Sequence, residues 1–270
     1  MISDPYSVSD AIFWGDLVQQ AYDMYDAANG SLTPAIPAKP GIPAPWTLAF
    51  YLSVDDQVLF FEERSTIGYV LRNAGANQYA LVIRGTDNAL EWITDVEAVQ
   101  VPFKAGGRTY GNVENGFMDE LGRITALSPG GSSLGPLTSW LATLAPTGAA
   151  ITTAGHSLGA AVATLAGALA AVQGNPTKIY SFASPQVGDS HFAASFDGLP
   201  LYHYRIYNIH DLVPKTPSST LGYQAVAFGI PIDTTTQSIK TNVVCCHSLR
   251  SYLNVLGSTN YTVDPSCVLP

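Results

Sequence analysis

The sequence predicts an α/β fold with a central, mostly parallel sheet flanked by helices. Three observations predict it. Apolar strand-like runs alternate with helical patterns along the 270 residues, the order that places helices on both faces of a parallel sheet. One composition regime without repeats covers the chain, so residues 1–270 read as a single domain. Finally, Gly155-His156-Ser157-Leu158-Gly159 stands between an apolar strand and a long helix, the setting that a G-x-S-x-G turn requires.

Composition narrows the class. Only 12% of residues are charged, against about 25% in a typical soluble domain, while 47% are apolar or aromatic. Such a chain buries too much to stay disordered and lacks the strict periods of collagen or a coiled coil. Its net charge of −9 repels phosphate, so no nucleic acid partner is expected.

The elements follow in chain order. Residues 8–28 carry apolar side chains at helical spacing, with Ser7 or Ser9 as cap and Gly30 as stop. Pro34, Pro37, Pro40 and Pro43 recur every third residue, which favours an extended strap across the surface. Two strands, 67–73 and 78–85, read as a hairpin. Helical patterns cover 114–127 and 133–144. The run from Leu158 to Val172 is apolar but shorter than the roughly 20 residues of a membrane span, and reads as a buried helix. Strands are expected at 178–185 and 201–208, and a closing helix from Ser248 to Leu256.

Chemistry centres on Ser157. A turn of this kind lifts the serine hydroxyl off the sheet and sets the Leu158 N–H at a helix N-terminus, where an anion is favoured. The glycines two positions to either side let strand and helix approach closely. A serine needs a base, and on such a turn the order is serine, acid, histidine. His156 precedes any acid, His191 has only Asp189 before it, His203 lies inside a strand pattern, and His210 precedes its neighbour Asp211. His247 remains, in a loop before the last helix. Among Asp189, Asp197, Asp211 and Asp233, Asp211 directly follows a strand, whereas Asp233 lies in a Thr-rich segment with no strong strand ahead of it. A second oxyanion donor is expected from the loop after an earlier strand; Arg84-Gly85-Thr86-Asp87 fits, and Thr86 offers both its N–H and its hydroxyl.

Five segments now resemble a known family: 68–95, 155–165, 182–189, 207–217 and 246–253. In their order and wording they are similar to the class 3 lipases, the filamentous-fungal type of α/β hydrolase. The resemblance implies an α/β-hydrolase fold with a short lid helix. It implies Ser157 as nucleophile, Asp211 as acid, His247 as base, and Thr86 and Leu158 as oxyanion hole. Asp95 would hold the oxyanion hydroxyl. Residues 87–94 would form the lid, with Asp87, Leu90, Trp92 and Ile93 at the substrate, and Pro185, Val187 and Val213 would line an acyl groove. The implied activity is hydrolysis of acylglycerol esters, as in a triacylglycerol lipase. Feruloyl esterases, phospholipases and polyester hydrolases share the triad, and a lipid-binding protein with a dead triad is the reading from another class. Two departures stand out. Glu114-Asn115-Gly116-Phe117 replaces the His-x-Gly-Phe of many relatives, and the disulfide set of secreted fungal members is absent, which leans to a bacterial-type member.

The substrate expected is a small or aggregated lipid ester, with transient contact to a lipid–water interface and no transmembrane segment. No metal or organic cofactor is expected, because no ligand spacing is present and the triad supplies its own base. The N-terminus, MISDPYSVSDAIFW, has neither the basic nor the apolar region of a signal peptide; secretion is slightly preferred to a cytoplasmic setting. Of Cys245, Cys246 and Cys267, one of the first two could bridge to Cys267 and tie down the tail.

Overall fold

The computed structural model describes residues 5–54, 64–86, 99–226 and 229–270. Helix α1, Val8–Asp26, starts where the Ser7 hydroxyl accepts from Asp10 N–H at 3.2 Å, and it ends ahead of Asn29 and Gly30, both at positive φ. The strap that follows is tied to the body: Pro34 carbonyl accepts from Tyr51 Oη at 2.8 Å, and the Trp46 ring meets Trp14 edge-on at 5.6 Å.

After the strap come β1 (Thr47–Val54), β2 (Ser65–Asn73), β3 (Gln78–Ile83), β4 (Gln100–Ala105), β5 (Arg108–Glu114) and α2 (Asn115–Arg123). Next are β6 (Thr125–Leu127), β7 (Ser133–Pro136), α3 (Leu137–Leu144), β8 (Ala150–His156), α4 (Leu158–Val172) and β9 (Thr177–Phe182). The chain continues through β10 (Gly188–Asp189), α5 (Ser190–Asp197), β11 (Leu201–Asn208), β12 (Tyr223–Gln224) and β13 (Gly229–Ile232). It closes with α6 (Val243–His247) and α7 (Leu249–Leu256).

Among the described residues, the main sheet has nine strands in the order β13-β11-β9-β8-β3-β2-β1-β6-β7. From β13 to β3 every pairing is parallel; from β3 to β7 every pairing is antiparallel. Two reversals restore direction, so only β2 and β6 oppose the rest and the sheet is mostly parallel. Alternate side chains serve opposite faces. Leu81, Ile83 and Ile151 join α2, α3, α4 and α5 in one apolar cluster. Ala80, Val82, Tyr180 and Phe182 join α1 and α7 in the other.

Three sequence expectations are corrected. The helical patterns at 114–127 and 133–144 are shorter, because 125–127 and 133–136 extend the sheet from β1 as strands; runs this short carry no decisive periodicity. The loop expected around His247 is the end of α6. Asp233 does follow a strand, β13. The four-stranded sheet β12-β10-β5-β4 was not foreseen. Its β5 ends at Glu114, which caps α2: the carboxylate accepts from Phe117 N–H at 2.8 Å, and Glu114 N–H donates to Val187 carbonyl at 2.9 Å. Cys245 and Cys267 are bridged across 22 positions, which fixes the tail to α6, and Cys246 is a buried free thiol.

Two outcomes are expected. Burial raises the Glu114 carboxyl above its ordinary range, against the amide donors of Gly116 and Phe117. A raised acid favours the protonated form in the fold, so its contribution is present below the unfolded value, about pH 4, and is lost as pH rises through the folded value. Glu114→Gln keeps an oxygen acceptor and removes the ionisation; its stability relative to wild type in urea should grow as pH rises, and a pH-independent difference would refute this. Replacing Cys267 by Ser should lower stability by up to about 3 kcal/mol, from the closed-loop entropy, read by the same urea titration.

Candidate active site

Strand β8 delivers the chain to Ser157, whose backbone sits at φ 57°, ψ −128°. Non-glycine residues rarely adopt such a state. The turn is tight enough to forbid side chains on its flanks: a Cβ on Gly155 would fall 2.2 Å from Gly159 carbonyl oxygen, and one on Gly159 would fall 2.3 Å from Arg84 carbonyl oxygen. Ser157 N–H donates to Phe182 carbonyl at 3.0 Å, which ties the turn to the end of β9.

Ser157 Oγ lies 2.8 Å from His247 Nε2, and His247 Nδ1 lies 2.8 Å from Asp211 Oδ2. A carboxylate only accepts, so Nδ1 carries the proton and Nε2 is left to accept from the Ser157 hydroxyl. Residues 157, 211 and 247 thus meet from three places: the β8–α4 turn, the turn after β11 and the end of α6.

The support for Asp211 is extensive. It is fully buried, and its carboxylate also accepts from Tyr252 Oη at 2.8 Å and from Val213 N–H at 3.0 Å. Three donors offset the cost of removing the carboxylate from water. Tyr252 Oη in turn accepts from Asn208 N–H at 2.9 Å, and the Asn208 side-chain amide donates to Cys246 carbonyl at 3.0 Å, beside His247. Sequence reasoning missed Asn208 and Tyr252. The only signal for them was that both lie in the segments resembling the family, around Asp211 and His247.

The other candidates go elsewhere. Asp189 caps α5 by accepting from Phe192 N–H at 2.7 Å. Asp197 closes that helix, and His191 lies in its exposed first turn. Asp233 pairs with His210 at 3.2 Å, both over a third exposed. His203 meets Ser181 Oγ at 2.7 Å, and burial, reinforced by Arg205, pushes its pKa down to about 3.

Thr86 and Leu158 are both buried beside the turn. The Thr86 loop packs on the serine: a Cβ on Gly85 would come within 2.9 Å of Ser157 Cβ. Leu158 opens α4, at its electropositive end. Val187 and Val213 are fully buried in the cluster that holds Leu158, and Pro185 is buried as well. Asp87, Leu90, Trp92, Ile93 and Asp95, with the expected lid, lie outside the described residues. A cleft of about 520 Å³ adjoins the site, lined by Thr86, His156, His247, Val244, Leu249 and Arg250 among others. Ser157 itself is 1% exposed.

The family described as Lipase (class 3) matches residues 80–221. The chain is 32% identical over 201 residues to Phospholipase A1-II 4 of Oryza sativa subsp. japonica, covering 67% of this chain and 50% of that protein. It is 30% identical over 161 residues to Secreted mono- and diacylglycerol lipase 1 of Fusarium solani, covering 58% and 44%. The chain spans about half the length of the curated relatives it matches. Its fold is similar to that of the Lip2 lipase from Yarrowia lipolytica, with a TM-score of 0.61 at 22% identity over 98% of this chain and 97% of that one. It is also similar to a mutant form of MDLA from Penicillium cyclopium, with a TM-score of 0.59 at 23% identity over 84% and 82%.

Replacing Tyr252 by Phe leaves Asn208 N–H without its acceptor and Asp211 without one donor. A loss of about 1.5–3 kcal/mol in unfolding free energy is expected, measured by urea denaturation; a loss under about 0.5 kcal/mol would show that the tyrosine hydroxyl does not support the carboxylate.

Proposed function

The chain belongs to the class 3 lipase family, and from that premise we propose that it hydrolyses carboxylic esters of fatty acids, acylglycerols foremost, through an acyl-enzyme on Ser157. The observation that carries this reading is the continuous line Ser157 Oγ, His247 and Asp211, each step 2.8 Å, at a turn whose backbone presents the serine.

His247 Nε2 takes the proton as Ser157 Oγ attacks the ester carbonyl, and Asp211 stabilises the imidazolium that forms. The Thr86 and Leu158 N–H groups, with the Thr86 hydroxyl, hold the oxyanion. Loss of one such donor costs about 3 kcal/mol in rate. His247 then protonates the leaving alcohol, the acyl group remains on Ser157, and His247 activates the water that releases it. The low charge content, 12% of residues against 47% apolar or aromatic, supports a reaction favoured at a lipid–water interface. The Cys245–Cys267 bridge supports an oxidising compartment and so secretion.

A second reading is hydrolysis of phospholipid esters. It is favoured by the relatives named phospholipase A1 and by the cleft beside the triad, whose lining includes Arg250, Asp26 and Asp264, with Arg250 paired to Asp23 at 3.2 Å, a mixture of charges that suits a zwitterionic headgroup.

Rates on tributyrin, a long-chain triglyceride, phosphatidylcholine and methyl ferulate separate the substrates. Acylglycerol turnover should lead, and should rise as tributyrin passes its solubility limit. Ser157→Ala should fold normally and lose at least about 10⁴-fold in turnover; retained turnover would sink the assignment.

A further inference from the structure

We propose that Tyr22 is a positioning residue for this reaction: its hydroxyl couples the Gly85–Thr86 loop to the segment that carries His247, by way of His156. The inference rests on the reading of function above.

Tyr22 lies on α1, far in sequence from every site residue. Its Oη accepts from Gly85 N–H at 2.8 Å and lies 2.8 Å from His156 Nδ1. The other ring nitrogen of His156, Nε2, is 2.8 Å from the His247 backbone carbonyl. A carbonyl only accepts, so Nε2 carries a proton. Burial, with neighbouring His247, holds His156 well below its ordinary pKa, so the ring is neutral and Nδ1 is an acceptor. Tyr22 must therefore donate to it. Every direction is fixed: Gly85 N–H gives to Tyr22, Tyr22 O–H gives to His156 Nδ1, and His156 Nε2–H gives to the carbonyl of the base residue.

The loop is held at a second point. Arg84 Nη1 donates to Gly85 carbonyl at 2.8 Å, while Arg84 Nε donates to Thr66 carbonyl at 3.1 Å. Gly85 carbonyl and Thr86 N–H belong to one planar peptide, so pinning the carbonyl directs the N–H to the opposite side. Tyr22 fixes the preceding peptide and Arg84 fixes this one. The direction of the Thr86 donor is thereby set before substrate arrives, and a preset direction is what makes an oxyanion donor effective. Tyr22 acts through Gly85 and His156, not on the reacting atoms.

The test is Tyr22→Phe, which keeps the ring and removes the link. Turnover of soluble p-nitrophenyl butyrate is measured per Ser157 labelled by a fluorophosphonate at completion, so that an unfolded fraction does not mimic the effect. The expected result is a kcat lower by roughly tenfold, with KM within about twofold and a labelling rate reduced by a similar factor. His156→Gln, which keeps a donor for the His247 carbonyl but places no acceptor at the Nδ1 position that faces Tyr22, should also lower kcat. In combination with Thr86→Val the Tyr22→Phe loss should be less than multiplicative. A kcat within twofold of wild type, a change confined to KM, or fully multiplicative losses would overturn the proposal. A wild-type chain that labels yet hydrolyses no ester would overturn the reading of function alone, since the ratio of labelling rates still decides the role of Tyr22. A chain that does not label overturns both.

Discussion

Ser157 holds φ 57°, ψ −128° between β8 and α4, a backbone state that costs of order 1–3 kcal/mol. The surroundings hold it there. Phe182 carbonyl takes the serine N–H, Gly155 and Gly159 let β8 and α4 close on each other, and Gly159 lies against the end of β3. The strand order β9-β8-β3 is therefore part of the turn. Because β3 and β9 flank β8 in register, the loop after β3 arrives beside the serine.

The second requirement is a buried carboxylate that keeps its partners. Asp211 is reached by His247, Tyr252 and Val213, and Asn208 links Tyr252 to the carbonyl next to His247. These contacts join β11, α6 and α7 at one point. The cluster tolerates burial because its groups are mutually satisfied, and that same saturation fixes the tautomer of His247. The Cys245–Cys267 bridge anchors the short helix that ends at His247.

Legibility in the sequence followed physical signal. The β8–Ser157–α4 passage was readable because a buried strand, a glycine-flanked serine and an Ala-rich helix are contiguous. Strand β1 was missed: five of its residues are buried in succession, so it has no alternation to detect. Strands β6, β10 and β12 are only two or three residues long and exist through their partners. The preference for Asp211 over Asp233 leaned partly on the absence of a strand before Asp233, and β13 removes that reason. What separates the two is direction: Asp211 faces His247 in the interior, and Asp233 faces His210 toward solvent.

By itself, the sequence determined the chemistry available: one serine at a strand–turn–helix junction, a histidine after an acid in chain order, and a low surface charge around a large apolar content. These are local or compositional properties, and local spacing records them. Only the tertiary structure decided which groups act together. Tyr22, Asn208 and Tyr252 are separated from their partners by 63, 38 and 41 positions, and His156, set aside as a base by its place in the chain, hydrogen-bonds both Tyr22 and the carbonyl of His247 at the end of α6. Hydrogen bonds over such separations depend on how the sheet orders its strands, and no periodicity along the chain carries that information.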